Sequence, residues 1–169
     1  MVLPELIERY PLFSFLKSEK LMSIAGISTE VTFDRGAIIF YEKQHADWLY
    51  ILMEGGVELF YTVEVEYRPD QRKELPCGEV SPGEVFGISA LIEPHILTLT
   101  ARTSRPSRVI KIDATGLQAL CEKDDQLAYG FMKQVAKATI KRLNATRLQL
   151  ATVWSRTNEE GKSLKEVAI

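Results

Sequence analysis

Val57-Glu58-Leu59-Phe60-Tyr61-Thr62-Val63-Glu64-Val65-Glu66-Tyr67 is the stretch that decides the fold. Its odd positions are all apolar or aromatic and its even positions are polar except Phe60, which is the two-residue period of a strand with one buried face. Arg68-Pro69-Asp70-Gln71 then reads as a turn, with Pro preset for its second position. The chain is expected to return antiparallel from Lys73 to Val80. Further turns are signalled at Asp34-Arg35-Gly36, Glu54-Gly55-Gly56, Ser81-Pro82-Gly83 and Ser104-Arg105-Pro106. Short strands at this spacing, from Thr29 to Asp113, predict an antiparallel sandwich, barrel or jelly roll and exclude alternating β and α units.

Helices are expected on both sides of this β zone. Leu6, Tyr10, Phe13 and Leu16 recur at three- and four-residue steps, Pro11 forces a break, and Ser18 with Leu21 starts a second run. After the strands, Asp113-Ala114-Thr115-Gly116 can cap a short helix through Cys121. Asp124 or Asp125 can cap a long one reaching Trp154, with only Gly130 inside it and no Pro. The organisation is therefore an N-terminal helical segment over 1–26, a β body over 27–123, a long helix over 124–154, and a polar tail over 155–169 that is expected to be flexible.

The long helix carries two apolar stripes. Met132, Ala136, Thr139, Leu143, Thr146, Leu150 and Val153 alternate steps of four and three, the seam of a coiled coil. Ala128, Phe131, Val135 and Ala138 form a second stripe confined to the first half. Such a helix is expected to pack on its own domain first and then to meet a second copy, giving a homodimer.

Composition narrows the function classes. With 46% apolar and 26% charged residues the chain is an ordinary globular one that buries a core without a disulfide or metal staple. Cys77 and Cys121 are too few for a disulfide framework or a four-cysteine zinc site and suit a reducing cytoplasm. No apolar run approaches membrane-spanning length, so no membrane insertion is expected. His45 and His95 stand fifty residues apart with no clustered carboxylates, so no metal site is expected. No spacing suggests a nucleophile with its base, and no catalytic residue is assigned: the chain is not read as an enzyme. Residues 1–125 hold 13 Lys/Arg and 20 Asp/Glu, whereas 126–154 hold five Lys/Arg and no acid. Lys133, Lys137 and Lys141, one turn apart, read as a solvated helix face and not as a nucleic-acid surface.

Ser81-Pro82-Gly83-Glu84-Val85-Phe86-Gly87-Ile88-Ser89-Ala90-Leu91, followed by Pro94-His95-Ile96-Leu97-Thr98, resembles the phosphate-binding cassette of cyclic nucleotide-binding domains, here spanning 82–98. Pro11-Leu12-Phe13, Gly36-Ala37-Ile38-Ile39-Phe40, Ala46 to Leu52 with Gly55 and Val57, and Val109 to Asp113 resemble that family's elements in the same order. The helix holding Arg142-Leu143 resembles the dimerising helix of catabolite-activator-type regulators. The resemblance implies an α+β fold: an antiparallel β jelly roll flanked by short N-terminal helices and a long C-terminal helix. A Gly-rich strand-to-helix turn offers backbone N–H groups to an anion, and Gly87 with the N–H groups of Ser89 and Ala90 could hold a cyclic phosphate without a metal.

Two side chains depart from the family pattern. The family's Glu after Phe-Gly, which accepts from the ribose hydroxyl, is Ile88, and its phosphate-pairing Arg is His95 in Pro-His-Ile-Leu-Thr. His lacks the bidentate fork of Arg and carries at most part of a charge near neutrality. Each loss should cost on the order of 1.5–3 kcal/mol of cyclic-nucleotide binding. A third family contact, a Thr-Ser pair that meets the adenine across the dimer, survives as Thr146, with Arg147 in place of the Ser.

The expected function is a cyclic nucleotide-binding-like regulatory domain with a degenerate cassette that signals through a homodimeric helix. Its ligand is a weakly bound cyclic nucleotide or another small molecule, apolar with an anionic end, held near Ile88, Ser89, His95, Thr98 and Thr146. No cofactor is assigned. The alternative is a ligand-free module for dimerisation and docking of a protein partner; the effector half of a transcription regulator ranks third. Direct DNA binding is not expected, because the 15 residues after Trp154 are too polar and too few for a helix-turn-helix reader. Met1 and the length of the tail favour a complete chain.

Overall fold

The computed structural model describes residues 2–65 and 68–166, with side chains from 2 to 63 and from 73 to 155. Two short helices, α1 (Pro4–Glu8) and α2 (Ser18–Gly26), flank a 3-10 turn at Pro11–Phe13. Six strands follow: β1 (Ser28–Phe33), β2 (Ile38–Phe40), β3 (Trp48–Val65), β4 (Arg68–Val80), β5 (Val85–Phe86) and β6 (Thr100–Asp113). A second 3-10 turn, Ile88–Leu91, lies between β5 and β6, and α3 (Ala114–Glu122) and α4 (Asp125–Glu166) close the chain. All strand pairs are antiparallel in the order β1-β6-β3-β4, with β2 also on β6 and β5 also on β3.

β3 and β6 are long enough to serve two layers. Trp48 to Glu54 pair with Asp113 to Arg108, and this half of β3 also carries β5 while this half of β6 carries β1. Beyond a run of register shifts, Gly56 to Phe60 pair with Arg105 to Thr100; here β4 and β2 join. Phe40 of one layer stacks on Tyr50 and Phe86 of the other at centroid distances of 5.4 and 6.0 Å, so the two halves face each other as a jelly roll.

The kink is where turns are expected from sequence, and the structure corrects that expectation. Glu54-Gly55-Gly56 and Ser104-Arg105-Pro106 lie inside β3 and β6, opposite one another. Gly55 has φ +99°, and a Cβ there would stand 2.6 Å from Ser107 Cα and 2.5 Å from the Pro106 carbonyl. The same glycine chemistry that permits a turn here permits a bulge with close backbone approach. The buried Ser107 hydroxyl accepts from the Gly56 N–H at 3.1 Å and donates to the Arg105 carbonyl at 2.7 Å, closing the crossing. The turns at Asp34-Arg35-Gly36 and Ser81-Pro82-Gly83 form as expected, with Gly36 and Gly83 at positive φ.

The deciding strand alternates through Val57, Glu58 and Leu59, then breaks: Phe60 is buried and Tyr61 is 43% exposed. The pairing with β4 slips at that point, from Leu59↔Gly78 to Phe60↔Pro76, so the apolar residue at an even position marks a bulge. From Glu64 the alternation lies outside the described side chains. Arg68-Pro69-Asp70, expected to turn, is instead the start of β4, and Val65 pairs with Arg68; the hairpin is longer than the return from Lys73 suggested.

The second apolar stripe of α4 packs as expected. Asp124 caps the helix, its Oδ1 accepting from the Leu127 N–H at 3.0 Å, and also ion-pairs with Lys20. Phe131 is fully buried and meets Phe13 and Phe15 edge-on at 6.2 and 5.5 Å. The seam residues Met132, Ala136, Thr139, Leu143, Thr146, Leu150 and Val153 are exposed on the single chain. The helix runs to Glu166, beyond the end expected at Trp154, so the segment read as a polar tail continues it. The 155–166 stretch holds no Pro, a single Gly161 and several helix-favouring Glu and Lys residues.

Gly130 is the one helical position of α4 where a Cβ would strike the Phe15 ring, with Cζ at 2.5 Å. Gly130→Ala should therefore destabilise the fold by about 1–3 kcal/mol through overpacking, although Ala gains about 1 kcal/mol of helix propensity. Urea denaturation should show the loss, and adding Phe15→Ala should shrink the difference between Gly and Ala at position 130.

Candidate functional site

The cassette turn is assembled from three directions. β5 delivers the chain along β3, through Tyr50↔Phe86 and Ile51↔Val85. Gly87 then turns at φ +68°, and a Cβ on it would lie 2.8 Å from Tyr50 Cδ2 and 3.1 Å from the Trp48 carbonyl. Only glycine fits both the conformation and the approach. Ile88 to Leu91 form the 3-10 turn, in which the Ala90 N–H donates to the Gly87 carbonyl at 3.1 Å. The Ala90 side chain is buried, and its carbonyl accepts from Gln118 Nε2 of α3 at 2.7 Å. Ile88 and Leu91 are half-buried and pack on the core.

His95 sits at φ +59° with Nδ1 3.2 Å from the Ser89 carbonyl, so the ring's N–H is spent on the cassette's own backbone. His45 lies across from it at 6.3 Å between rings, with its Nδ1 2.8 Å from Asp47 Oδ1. The strap carrying His95 is tied back by three backbone hydrogen bonds: Ala46 N–H to His95, Lys43 N–H to Leu97, and Leu97 N–H to Gln44. Gly87, Ile88, Ser89, Ala90 and His95 thus form one unit. Thr98 is exposed beyond it, and Thr146 is exposed on α4 and makes no hydrogen bond or ion pair within the described chain. Among the described residues, no three His, Cys, Asp or Glu side chains converge as metal ligands, and no helix is long and apolar enough to cross a membrane.

Sequence reading missed how α4 reaches the cassette. Arg142 Nη2 donates to the Val85 carbonyl at 2.6 Å, and Lys141 ion-pairs with Glu84, whose other oxygen accepts from the Ser81 N–H at 3.0 Å. Burial pushes the Glu84 carboxyl up, but the hydrogen bonds from Lys141 and Ser81 outweigh it and hold the group below the ordinary carboxylate range. Burial lowers the Arg142 guanidinium, opposed by the Glu84 charge. These contacts lie two and three residues ahead of Gly87, on the strand that feeds it. A cleft of about 510 Å³ runs beside them, with Leu12, Val85, Lys137, Ala138 and Lys141 among its lining residues. Lys133, Lys137 and Lys141 remain exposed, so the solvated face stands except where Lys141 turns to Glu84. Cys77 and Cys121 are half-buried free thiols, and burial with help from Asp124 pushes the Cys121 thiol up, away from reactive thiolate.

The cyclic nucleotide-binding domain pattern matches residues 30–124, and the chain belongs to that family. A solved Geobacter metallireducens protein, assigned provisionally to cyclic nucleotide binding, is 38% identical with a TM-score of 0.73, covering 85% of this chain and 99% of its own. The N-terminal domain of a Streptomyces coelicolor transcriptional regulator is 28% identical with a TM-score of 0.59, covering 82% of this chain and 92% of that domain. The CRP-like cAMP-activated global transcriptional regulator of Mycobacterium tuberculosis is 24% identical over 147 residues, which is 87% of this chain and 61% of the regulator. The chain thus spans about three-fifths of the length of that curated relative.

Removing Arg142 should separate its role from that of the exposed ion pair beside it. Arg142→Met, which leaves the Val85 carbonyl short of a charged donor in a half-buried site, should cost about 1–3 kcal/mol. Lys141→Met, which loses only a solvent-facing pair, should cost under about 1 kcal/mol. Chemical denaturation of both variants checks the ranking.

Proposed function

We propose that this chain is a non-catalytic regulatory domain in which the state of the cassette is passed to α4, and that α4 is the seam of a homodimer acting in the cytoplasm. The observation that carries this reading is the Arg142 hydrogen bond to the Val85 carbonyl, reinforced by Lys141–Glu84: it fastens the helix to the strand entering the cassette turn. A ligand that shifts Gly87 to Ala90 would move that strand, and with it the angle at which α4 leaves the roll. Beyond this contact the helix presents Leu143, Leu150 and Val153 at 47, 66 and 61% exposure, at heptad spacing, which suits a second copy. The relatives named as transcriptional regulators make a role as their effector half a coarser option.

The cassette is degenerate in our reading. Ile88 offers no acceptor to a ribose hydroxyl, and the His95 ring is engaged on Ser89 instead of facing a phosphate. A small ligand with an apolar body fits Ile88 and Leu91 better than a ribose phosphate does. A second reading, a ligand-free dimerisation and docking module, is favoured by one observation: Ile88 and Leu91 already pack against the core.

Calorimetry with cAMP and cGMP tests the degenerate cassette. Neither nucleotide should bind tighter than millimolar, and Ile88→Glu with His95→Arg should raise affinity by at least an order of magnitude, since each restored contact is worth about 1.5 kcal/mol or more. Micromolar binding by the unaltered chain would contradict the reading.

A further inference from the structure

Away from the Gly87–Leu91 turn and from α4, the open end of the roll holds two polar side chains that make no hydrogen bond or ion pair among the described residues. Tyr50 on β3 and Lys111 on β6 are direct cross-strand partners, so their side chains share one face, the inner face of the roll. Tyr50 is 7% exposed, and among the described residues its hydroxyl has no hydrogen-bond partner. Lys111 is half-buried with Nζ 4.0 Å from the centroid of the Trp48 ring, and no described carboxylate pairs with it. Both line a cavity of about 290 Å³ between the layers, walled by Phe33, Ile39, Phe40 and Leu97, with Gln44 and the His45–Asp47 pair at its rim. Gln44 Oε1 is already taken by the Tyr41 N–H at 3.1 Å, which turns its amide nitrogen into a third donor.

Among the described residues no buried side-chain nitrogen or oxygen lacks a hydrogen-bond partner, so the Tyr50 hydroxyl and the Lys111 ammonium both open onto the cavity, where a single acceptor can meet the two donors together. The mouth of a β-barrel is also a common place for a small-molecule site. We propose that the mouth of the roll is a second ligand site, separate from the Gly87–Leu91 turn, for a short-chain carboxylate that accepts from the Tyr50 hydroxyl and takes Lys111 as its counter-ion. With Lys111 as its one described lysine and the Asp47 carboxylate at its rim, the cavity suits one negative charge better than a dianionic phosphate. The volume, at the low end for ligand pockets, limits the body to roughly three to six carbons. Burial, with a smaller push from Asp47, raises the Tyr50 hydroxyl to about 12, so it remains a donor throughout the physiological range. Tyr50 also stacks on Phe86 at 5.0 Å and lies under Gly87, so an occupant would press on the cassette from behind.

Trp48 and Trp154 are the two tryptophans of the chain, so Trp154→Phe leaves Trp48, beneath Lys111, as the reporter. In that background, pyruvate, butyrate and hexanoate are titrated with Trp48 fluorescence as readout, against sodium chloride at matched ionic strength, and calorimetry repeats each titration. At least one acid should give a saturable change with millimolar or tighter affinity. Tyr50→Phe, which keeps the ring and its stacking, should weaken it about tenfold, and Lys111→Met should remove saturation in the calorimeter. The proposal is overturned if none of the three acids saturates by roughly 20 mM, a concentration above any useful millimolar site. It is equally overturned if sodium chloride reproduces the change, or if Tyr50→Phe, still folded by thermal melting, binds as the parent does.

Discussion

Everything that positions the site depends on the crossing of two long strands at Gly55-Gly56 and Ser104 to Ser107. A side chain at Gly55 would overlap the backbone of β6, and the buried Ser107 hydroxyl ties both strands together there. Because β3 and β6 kink at the same level, each contributes to both layers, and the layers close on the Phe40, Tyr50 and Phe86 stack. That stack sets the level of Phe86 and therefore of Gly87 one residue later. The cassette turn stands where it does because a bend some thirty residues earlier makes a floor for it.

The helix that follows is divided in function by its own surface. Its first turns are a core element: Leu127, Phe131 and Val135 are buried, and Phe131 is gripped edge-on by two phenylalanines of the N-terminal segment. At Lys141 and Arg142 it makes its last described polar contacts with the roll, on the strand that leads into the cassette. From Leu143 to Trp154 its apolar residues are exposed in the single chain. A helix held at one end by the core and joined further on to the strand that leads into the cassette turn is mechanically suited to the role proposed for it.

Much of this was legible in the residue pattern, and the exceptions have physical causes. Two-residue alternation and turn residues indicated an antiparallel roll, and the Gly-rich stretch with its ordered neighbours indicated the family. Glycine, however, signals a bulge as readily as a turn, so the kinks at Gly55-Gly56 and Arg105-Pro106 read as chain reversals until pairing showed both strands running through. Phe60, the one even-numbered apolar residue, was the visible trace of the register slip against Pro76. Pairs made by distant segments left no local signature. Glu84 with Lys141, Val85 with Arg142, Ala90 with Gln118 and Tyr50 with Lys111 are set by how the sheet folds over and where α3 and α4 return. Thr98 and Thr146, grouped with the cassette by analogy, stay outside the unit that a single chain assembles.

The claim that α4 is an output element meeting a second copy is tested most directly by its assembly state. Sedimentation equilibrium of the unaltered chain at micromolar concentration should give twice the 19.1 kDa chain mass. Leu143→Glu, which places two carboxylates face to face in the seam, should return it to one chain while the far-ultraviolet spectrum stays that of the folded roll. An unaltered chain that sediments at 19.1 kDa, or a Leu143→Glu variant that remains paired, would contradict the account.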